Sequence, residues 1–205
     1  MAPAKETARE RLIGAAVKVV REKGFNATSV DELCREAGVT KGAFFHHFPS
    51  KTDLGIAAAE AWKLHANALF GSAPYMAHED PLDRVLGYLD FRRDLLEGPV
   101  SEFTCLAGTM VQESYETLPD LREACHESIW GHALTLVPDI DAARKRHGIG
   151  GDWTSESLAL HFQAVLQGAF ILAKADHGAQ AARDTADHLI RYVRMLFNLP
   201  PKKET

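Results

Sequence analysis

The segment from 40 to 51 brings together side chains suited to binding an anion. It reads Thr-Lys-Gly-Ala-Phe-Phe-His-His-Phe-Pro-Ser-Lys, so a threonine that can cap a helix is followed at once by a lysine and a glycine. The free N–H groups and the dipole at a helix start attract phosphate, and glycine lets another backbone approach closely. The pattern predicts a short helix, from about Thr40 to Phe48, whose polar face binds nucleic acid.

Two clusters have the residue types of a metal site but not its spacing. His46 and His47 are neighbours, which on a helix point about 100° apart, so contact with DNA or solvent is favoured over shared ligation of one ion. On a helix, His132 points about 120° away from His126. Cys125, His126 and His132 are therefore not expected to ligate one ion together. We therefore predict no metal and no cofactor.

The three cysteines, Cys34, Cys105 and Cys125, are widely spaced and odd in number. That arrangement is neither a disulfide framework nor a zinc motif, so reduced thiols are predicted. Cys105 has two interpretations. At a helix start, the dipole would lower the pKa of its thiol and suit it to sensing oxidants or electrophiles. As an ordinary half-buried thiol, it would be inert.

No motif of a nucleotide-binding or hydrolytic enzyme is present, and we predict no catalytic residue. The 205 residues contain no G-x-G-x-x-G, G-x-x-x-x-G-K-[ST], G-x-S-x-G or H-E-x-x-H.

The net charge is −5, but residues 1–55 hold nine basic and seven acidic residues while the remainder holds 14 basic and 21 acidic residues. The N-terminal quarter is thus the basic part of an acidic chain, as in a nucleic-acid-binding segment.

Helices must position these residues, because apolar residues recur at helical spacing and period-2 alternation is absent. The pattern predicts an all-α fold with nine or ten helices in total. No uninterrupted apolar run approaches the roughly 20 residues that cross a bilayer, and the N-terminus lacks a signal-peptide stretch, so a cytoplasmic protein with no membrane partner is expected. The first four helices are predicted at about 4–23, 29–37, 40–48 and 51–70, with a later one at about 104–117.

Caps and a glycine turn define the N-terminal arrangement. Thr28 with Asp31 is predicted to cap the second helix, and Ser50 with Asp53 the fourth. Gly38 supplies a tight turn between the second and third helices, where a left-handed backbone costs glycine little. Two short helices joined by a three-residue turn form a helix-turn-helix.

Residues 28–54 closely resemble the DNA-binding domain of the tetracycline-repressor (TetR) family, and the segments Arg11-Leu-Ile-Gly-Ala-Ala and Gly24-Phe-Asn-Ala also fit. The strong match covers about residues 7–55. The remainder is similar only in helix number, length and order, with 167–174 resembling the penultimate helix of the family. The resemblance implies a helix-turn-helix DNA-binding domain at 1–52, a ligand-binding and dimerisation domain at 53–199, and a disordered tail at 200–205.

The resemblance also implies which residues contact DNA. Phe44 and Phe48 are expected to pack inward. Phe45 stands where the family usually has a tyrosine whose hydroxyl donates to a phosphate, and phenylalanine cannot donate that bond. Ala43 stands where the family often has threonine or serine. The effect of both residues on DNA contact stays open. The implied contacts are Thr28, Ser29, Thr40, Lys41, Gly42, Ala43, Phe45, His46, His47 and Lys51.

A ligand cavity in the C-terminal bundle and a dimer made by the last two helices follow from the same resemblance. The stretch 103–108 resembles a helix start of relatives that sense reactive compounds, so Cys105 is included among the cavity candidates. Each candidate could equally be core, and an aromatic or amphipathic ligand is expected. The cavity candidates are Trp62, His65, Phe91, Cys105, Met110, Glu113, Trp130, His161 and Gln167; the expected dimer residues are Phe162, Val165, Leu166, Ala169, Phe170, Ala173, Leu189, Val193 and Leu196.

The function implied is a homodimeric repressor that blocks transcription at a palindromic operator and is released by a small-molecule inducer. A two-fold dimer would place its recognition helices about 34–36 Å apart, matching successive major-groove faces. Repression follows the majority of the family, some members of which activate. The rival hypothesis is an all-helical ligand-binding or catalytic protein that does not bind DNA. Salt dependence of duplex binding separates the two. The inducer, the operator and the regulated genes are not identified by the sequence.

Overall fold

The structure, a computed structural model, describes residues 6–200, and every regular element in that range is a helix. The all-α prediction is confirmed: ten of the described α-helices have at least seven residues, and one is a single turn. Apart from Pro200, the predicted tail at 200–205 lies outside the described residues. The elements are α1 (Ala8–Lys23), α2 (Val30–Ala37), α3 (Lys41–His47), α4 (Lys51–Gly71), a 3-10 turn (Pro74–Ala77), α5 (Pro81–Asp94), α6 (Val100–Phe103), α7 (Leu106–Ser114), α8 (Pro119–Leu134), α9 (Val137–His147), α10 (Ser155–Asp176) and α11 (Gln180–Leu196).

The chain forms two compact units. The first contains residues up to 65 together with 104–129, and the second contains 66–103 together with the residues from 130 onward. The first unit therefore includes α7 and most of α8 besides the N-terminal helices. The functional division after residue 52, which the resemblance implies, stays a prediction.

The helix starts show which caps the side chains form. Thr7 and Glu10 make a reciprocal capping box at the start of α1; the predicted start, Ala4, lies outside the described residues. The predicted Thr28 cap of α2 is wrong: Ser29 accepts the N–H of Glu32 instead. The Thr28 hydroxyl is buried and donates to the Gly24 carbonyl at 2.7 Å, so it is not available as a cap.

The core of the first unit gathers apolar side chains of α1, α2, α3 and α4 together with those of α7 and α8. Phe25, in the turn after α1, packs against α4 at Gly55. A Cβ atom on Gly55 would lie 2.8 Å from Cε2 of Phe25, which is closer than carbon atoms can approach. Gly55 is therefore required by packing, in spite of its low helix propensity.

The core of the second unit is built on α5, α10 and α11, whose most buried side chains include Tyr88, Leu89 and Phe162. By length and composition alone α10 is apolar enough to cross a membrane. It is therefore an exception to the expectation that no segment is apolar enough to cross a bilayer. In the span concerned, 44% of the residues are buried inside the chain. A helix of this kind is accounted for by core packing on one side and by an apolar surface on the other.

Candidate functional site

The helix α3 is held from beneath by two aromatic side chains. Phe44 has no exposed surface and Phe48 is 3% exposed, which confirms that both pack inward. The Thr40 hydroxyl accepts the N–H of Ala43 at 3.1 Å and begins the helix as predicted. Gly38 has φ 61° and ψ 41°, the left-handed conformation that the turn between α2 and α3 requires. Cap, turn and anchors together leave α3 with one defined orientation.

The opposite side of α3 faces solvent and forms a continuous surface, which we call the recognition surface. Phe45 is 51% exposed, with one edge of its ring against Phe44, and Ala43 and His47 are half-buried. Lys41 pairs with the exposed carboxylate of Asp31 at 2.9 Å, and this hydrogen bond raises the pKa of Lys41. The recognition surface comprises Ser29, Thr40, Lys41, Gly42, Ala43, Phe45, His46 and His47.

Two of the expected DNA contacts have other partners in the structure. Thr28 is 2% exposed, so its buried hydroxyl is a wrong choice for a phosphate contact. The Lys51 ammonium donates to the carbonyls of Phe25 and Thr28, both at 2.9 Å, and lies 4.5 Å from the centre of the Phe25 ring. Partial burial lowers the pKa of Lys51. Its charge thus closes the turn before α2, a role that sequence spacing does not reveal.

Arg11 is a functional side chain that the sequence analysis missed. Its guanidinium donates to the carbonyls of Ala37 at 2.9 Å and Gly38 at 3.2 Å, which satisfies the C-terminal carbonyls of α2. Arg11 therefore helps fix the turn that orients α3. The only available signal was a basic residue on the first helix, beside its apolar stripe.

The nine ligand candidates are divided between the two units. Trp62, His65, Cys105, Met110 and Glu113 belong to the first unit, and the other four belong to the second. In the first unit, Met110 is core, and the Trp62 ring lies under the Arg21 guanidinium, 4.6 Å away. The Glu113 carboxylate accepts the N–H of Asn26 at 2.7 Å, so it holds the turn after α1.

In the second unit, Trp130 and His161 are exposed, while Phe91 and Gln167 are half-buried. The second unit does contain a cavity, of about 140 Å³, and none of the nine candidates lines it. Its apolar wall includes Phe70, Tyr75, Val85 and Leu136, while Arg84 and Asp139, which pair at 2.6 Å, are its charged lining residues. A cavity is thus present in the C-terminal part of the chain with a lining other than the nine candidates, and that it binds a ligand stays a prediction.

The buried polar group of this cavity is His132, which is 6% exposed. Its Nε2 atom lies 3.1 Å from the Tyr88 hydroxyl, which in turn accepts the amide N–H of Gln163 at 3.1 Å. Burial lowers the pKa of His132 to about 3, with a smaller contribution from the charge of Arg92. Its Nδ1 atom is buried and has no hydrogen-bonding partner among the described residues.

Cys105 lies at the N-cap of α7, where its Sγ atom accepts the N–H of Gly108 at 3.3 Å. The helix predicted at about 104–117 is α7, Leu106–Ser114, which is shorter than predicted at both ends. Cys105 is half-buried, whereas Cys125 is fully buried and burial raises the pKa of its thiol to about 12. Within residues 6–200 no group of three or more His, Cys, Asp or Glu side chains is arranged to hold a metal ion.

The expected dimer residues are mostly core, which corrects the sequence analysis. Of the nine, Val165 and Leu196 are half-buried, and the other seven are at most 6% exposed within one protomer. The reason is that α10 and α11 pack on each other and α11 packs on α5, which covers those faces. A different set of side chains remains exposed and forms what we call the outer face: His161, Ala164, Ile171, Leu172, Tyr192 and Met195.

Comparison with known proteins places these features in a wider group. Residues 12–58 match the family model for bacterial regulatory proteins of the tetR family. The transcriptional regulator AcuR of Cereibacter sphaeroides is 27% identical over 84% of this chain and 79% of its own length. The transcriptional repressor NemR of Escherichia coli is 25% identical over 68% of this chain and 70% of its own.

Solved structures share the fold over nearly the whole chain. A TetR transcriptional regulator from Chloroflexus aurantiacus is 26% identical and superposes with a TM-score of 0.79, covering 91% of this chain and 93% of its own. The reduced form of Escherichia coli NemR, at 22% identity, superposes with a TM-score of 0.72 over 89% of this chain and 94% of its own. The helix order described above is therefore that of these proteins.

Proposed function

Since this chain is a DNA-binding transcriptional regulator of the tetR family and not an enzyme, we propose that it is a homodimeric repressor. It binds a palindromic operator through the recognition surface, and a small molecule bound in the C-terminal bundle releases it. The observation that carries the proposal is the exposed face of α3, held rigidly by Phe44 and Phe48. Operator DNA lies in the bacterial cytoplasm, so we place the protein there, without a membrane partner.

The recognition surface suits the major groove. A helix fits this groove, which is about 12 Å wide, and the N-terminal residues of a recognition helix meet the base edges. Lys41 and the backbone N–H of Gly42 lie at the start of α3 and can bind phosphate once Asp31 is displaced from Lys41. His46 offers ring nitrogens to base edges, and Phe45 offers an apolar face for thymine methyl groups.

The outer face supports the homodimer. Met195 is 74% exposed, and Ile171 and Leu172 are each 50% exposed, so apolar side chains of both helices face solvent. The rings of His161 and Tyr192 meet at 5.4 Å and join the exposed stripes of α10 and α11 into one surface. A two-fold contact through this face is self-complementary and gives two recognition helices per dimer.

The dimer is tested by the sedimentation of two variants. Leu172→Glu places a charge in the proposed contact and is expected to yield a monomer with unchanged helix content. Leu95→Glu, at another exposed leucine, is the matched control and should sediment as the wild type does. If Leu172→Glu remains dimeric at micromolar concentration, the outer face is not the interface.

DNA binding is tested with duplexes enriched from a random library, measured by fluorescence anisotropy over a salt series. The wild type should lose affinity steeply with salt, with a slope of about −0.9 for each phosphate contact. Lys41→Ala should weaken binding and reduce that slope by about 1. Lys63→Ala, which removes a lysine paired with Glu127, serves as the control. Failure to enrich any duplex, or a salt-independent affinity, would favour the rival helical protein that does not bind DNA.

Release by a ligand has a defined energetic requirement. To move occupancy of the operator-binding state from 99% to 1%, the ligand must prefer the other state by about 5.5 kcal/mol. A molecule that binds both states equally would shift nothing. The titration that matters is therefore ligand against the preformed complex, with loss of anisotropy as the readout.

Cysteine-based sensing through Cys105 is a second candidate, favoured by its position at the N-cap of α7. The N–H of Gly108 donates to its Sγ atom, and the thiol lies at the positive end of the dipole of α7. Labelling of the intact protein with a fluorescent maleimide at neutral pH should modify Cys105 before the buried Cys34 and Cys125. Cys105→Ser is the control that keeps a capping side chain, and sluggish labelling of Cys105 would end this candidate.

A further inference from the structure

The polar chain behind the cavity of the second unit determines where His132 carries its proton. The Gln163 side-chain oxygen faces Arg92 at 3.5 Å, so the amide nitrogen of Gln163 faces Tyr88 and donates to its hydroxyl oxygen. The hydroxyl proton of Tyr88 then has one acceptor at hand, the Nε2 atom of His132. The other tautomer would leave both the Tyr88 hydroxyl proton and the acceptor lone pair of Nδ1 unpaired, whereas this one leaves only the Nδ1–H unpaired. Each buried unpaired group costs about 1–3 kcal/mol, so this tautomer is favoured.

It follows that Nε2 accepts and Nδ1 bears the hydrogen. The ring is neutral at neutral pH, because burial holds the pKa of His132 far below its ordinary value. A neutral imidazole has one donor and one acceptor nitrogen. The donor, Nδ1–H, is buried and lacks a partner among residues 6–200, and its side chain lines the cavity. Buried donors without partners are uncommon in proteins, and an occupant of the adjoining cavity is one physical explanation for such a group.

The rest of the lining describes the molecule that fits. The volume, about 140 Å³, is close to that of engineered apolar cavities that accept benzene. Phe70, Tyr75 and Val85 offer apolar and aromatic surface. Arg84 and Asp139 neutralise each other at 2.6 Å, so the lining offers no unpaired charge to an ion.

We propose that this cavity binds a small uncharged molecule, about the size of a substituted benzene, whose single hydrogen-bond acceptor receives the Nδ1–H of His132. The proposal rests on the proposed function in one respect, since it names the chemical class of the inducer. Water is the competing occupant, and an apolar ring with an acceptor displaces it with a gain in buried apolar area and no loss of the hydrogen bond.

Benzonitrile is a suitable probe, because it is benzene-sized and inert and carries one acceptor, and its nitrile stretching band moves to higher frequency on accepting a hydrogen bond. Toluene is the partner probe without an acceptor, and benzoate is the charged one. The affinities of benzonitrile and toluene are measured on the wild type and on His132→Leu, without DNA. The ratio of benzonitrile to toluene affinity should be about tenfold higher for the wild type, and the nitrile band should shift on the wild type alone.

The tautomer is tested on the wild type without any ligand, by the ¹⁵N chemical shifts of the His132 ring. Nδ1 is expected to be protonated and Nε2 bare. Tyr88→Phe, which removes the hydroxyl donor, should let both tautomers appear and reduce the benzonitrile preference. This measurement keeps the proposal falsifiable if His132→Leu does not fold.

Each outcome has one meaning. Protonation at Nε2, preference for benzoate, or the absence of benzonitrile binding overturns the proposal. Binding of benzonitrile at His132 without any effect on operator affinity leaves the cavity assignment intact and contradicts release of the operator through this cavity. Release of DNA by a molecule that leaves the His132 resonances unchanged supports the regulator and contradicts the cavity as the site of its inducer.

Discussion

Replacing either of two adjacent phenylalanines by alanine should separate the stability of α3 from its contact with DNA. Phe44 has no exposed surface, and its ring meets those of Phe45 at 5.1 Å and Phe48 at 6.2 Å. Truncating a fully buried phenylalanine costs about 3–5 kcal/mol, because transfer and cavity contributions add. Phe45 is 51% exposed, so its truncation loses only part of one aromatic contact, about 1 kcal/mol or less.

The assay combines urea unfolding with anisotropy on an enriched duplex. Phe44→Ala should lower the free energy of unfolding by about 3–5 kcal/mol, a large share of the about 5–15 kcal/mol of an ordinary domain. Phe45→Ala should unfold almost as the wild type does but bind the duplex more weakly. Phe44→Leu, which keeps most of the buried volume, should cost about 1.5 kcal/mol.

The reasoning fails if the two effects are exchanged. Near-native stability of Phe44→Ala would mean that α3 is not anchored through this ring. Unchanged operator affinity of Phe45→Ala, with unchanged stability, would mean that the exposed ring does not face DNA. Similar losses of stability for both variants would contradict the different burial of the two side chains.

Three further predictions follow from single contacts. The folded-state pKa of His132, about 3, lies below its ordinary 6.5, so the unfolded chain takes up a proton that the folded state refuses, and stability falls as the pH drops from 6.5 toward 3. Urea unfolding should show that the wild type loses about 2 kcal/mol more than His132→Gln between pH 6.5 and 5; parallel pH profiles would contradict this. Glu113→Ala removes a charge-assisted hydrogen bond to Asn26 and should cost about 2 kcal/mol, with faster hydrogen exchange at the Asn26 amide as the local readout; an unchanged rate there would refute it. Thr40→Ala removes the cap of α3 and should cost about 1 kcal/mol, whereas Thr52→Ala, elsewhere in the first unit, should be nearly neutral.

Local chemistry was predictable from the sequence where a few neighbouring residues decide the outcome. Gly38 adopts the left-handed turn, Thr40 caps α3 and the Ser50 hydroxyl accepts the N–H of Asp53 at the start of α4, each through contacts within four residues. Thr28 failed as a cap because a carbonyl four residues upstream takes its hydroxyl. Two adjacent hydroxyl residues, Thr28 and Ser29, look alike in a sequence until the turn before them is known.

Tertiary choices were not predictable in this way. The helix α10 is apolar on most of its circumference, so its periodicity does not say which side faces its own core. Phe162 and Leu166 were expected at the dimer contact and lie in the core, while Ile171 and Leu172 are exposed. The polar chain behind the cavity joins residues from three helices, and no spacing in the sequence connects Tyr88, His132 and Gln163.

Gly55 makes α4 a weaker helix in isolation, since glycine costs about 1 kcal/mol relative to alanine inside a helix. The Phe25 ring packs where a side chain at Gly55 would lie and so stabilises α4 by tertiary contact. The ammonium of Lys51, the first residue of α4, donates to the Phe25 carbonyl and links the helix to the same turn. Fraying of the first turns of α4 and loss of the turn that precedes α2 therefore cannot occur separately. This corner of the protein melts as one cooperative unit, and the orientation of α3 is retained or lost with it.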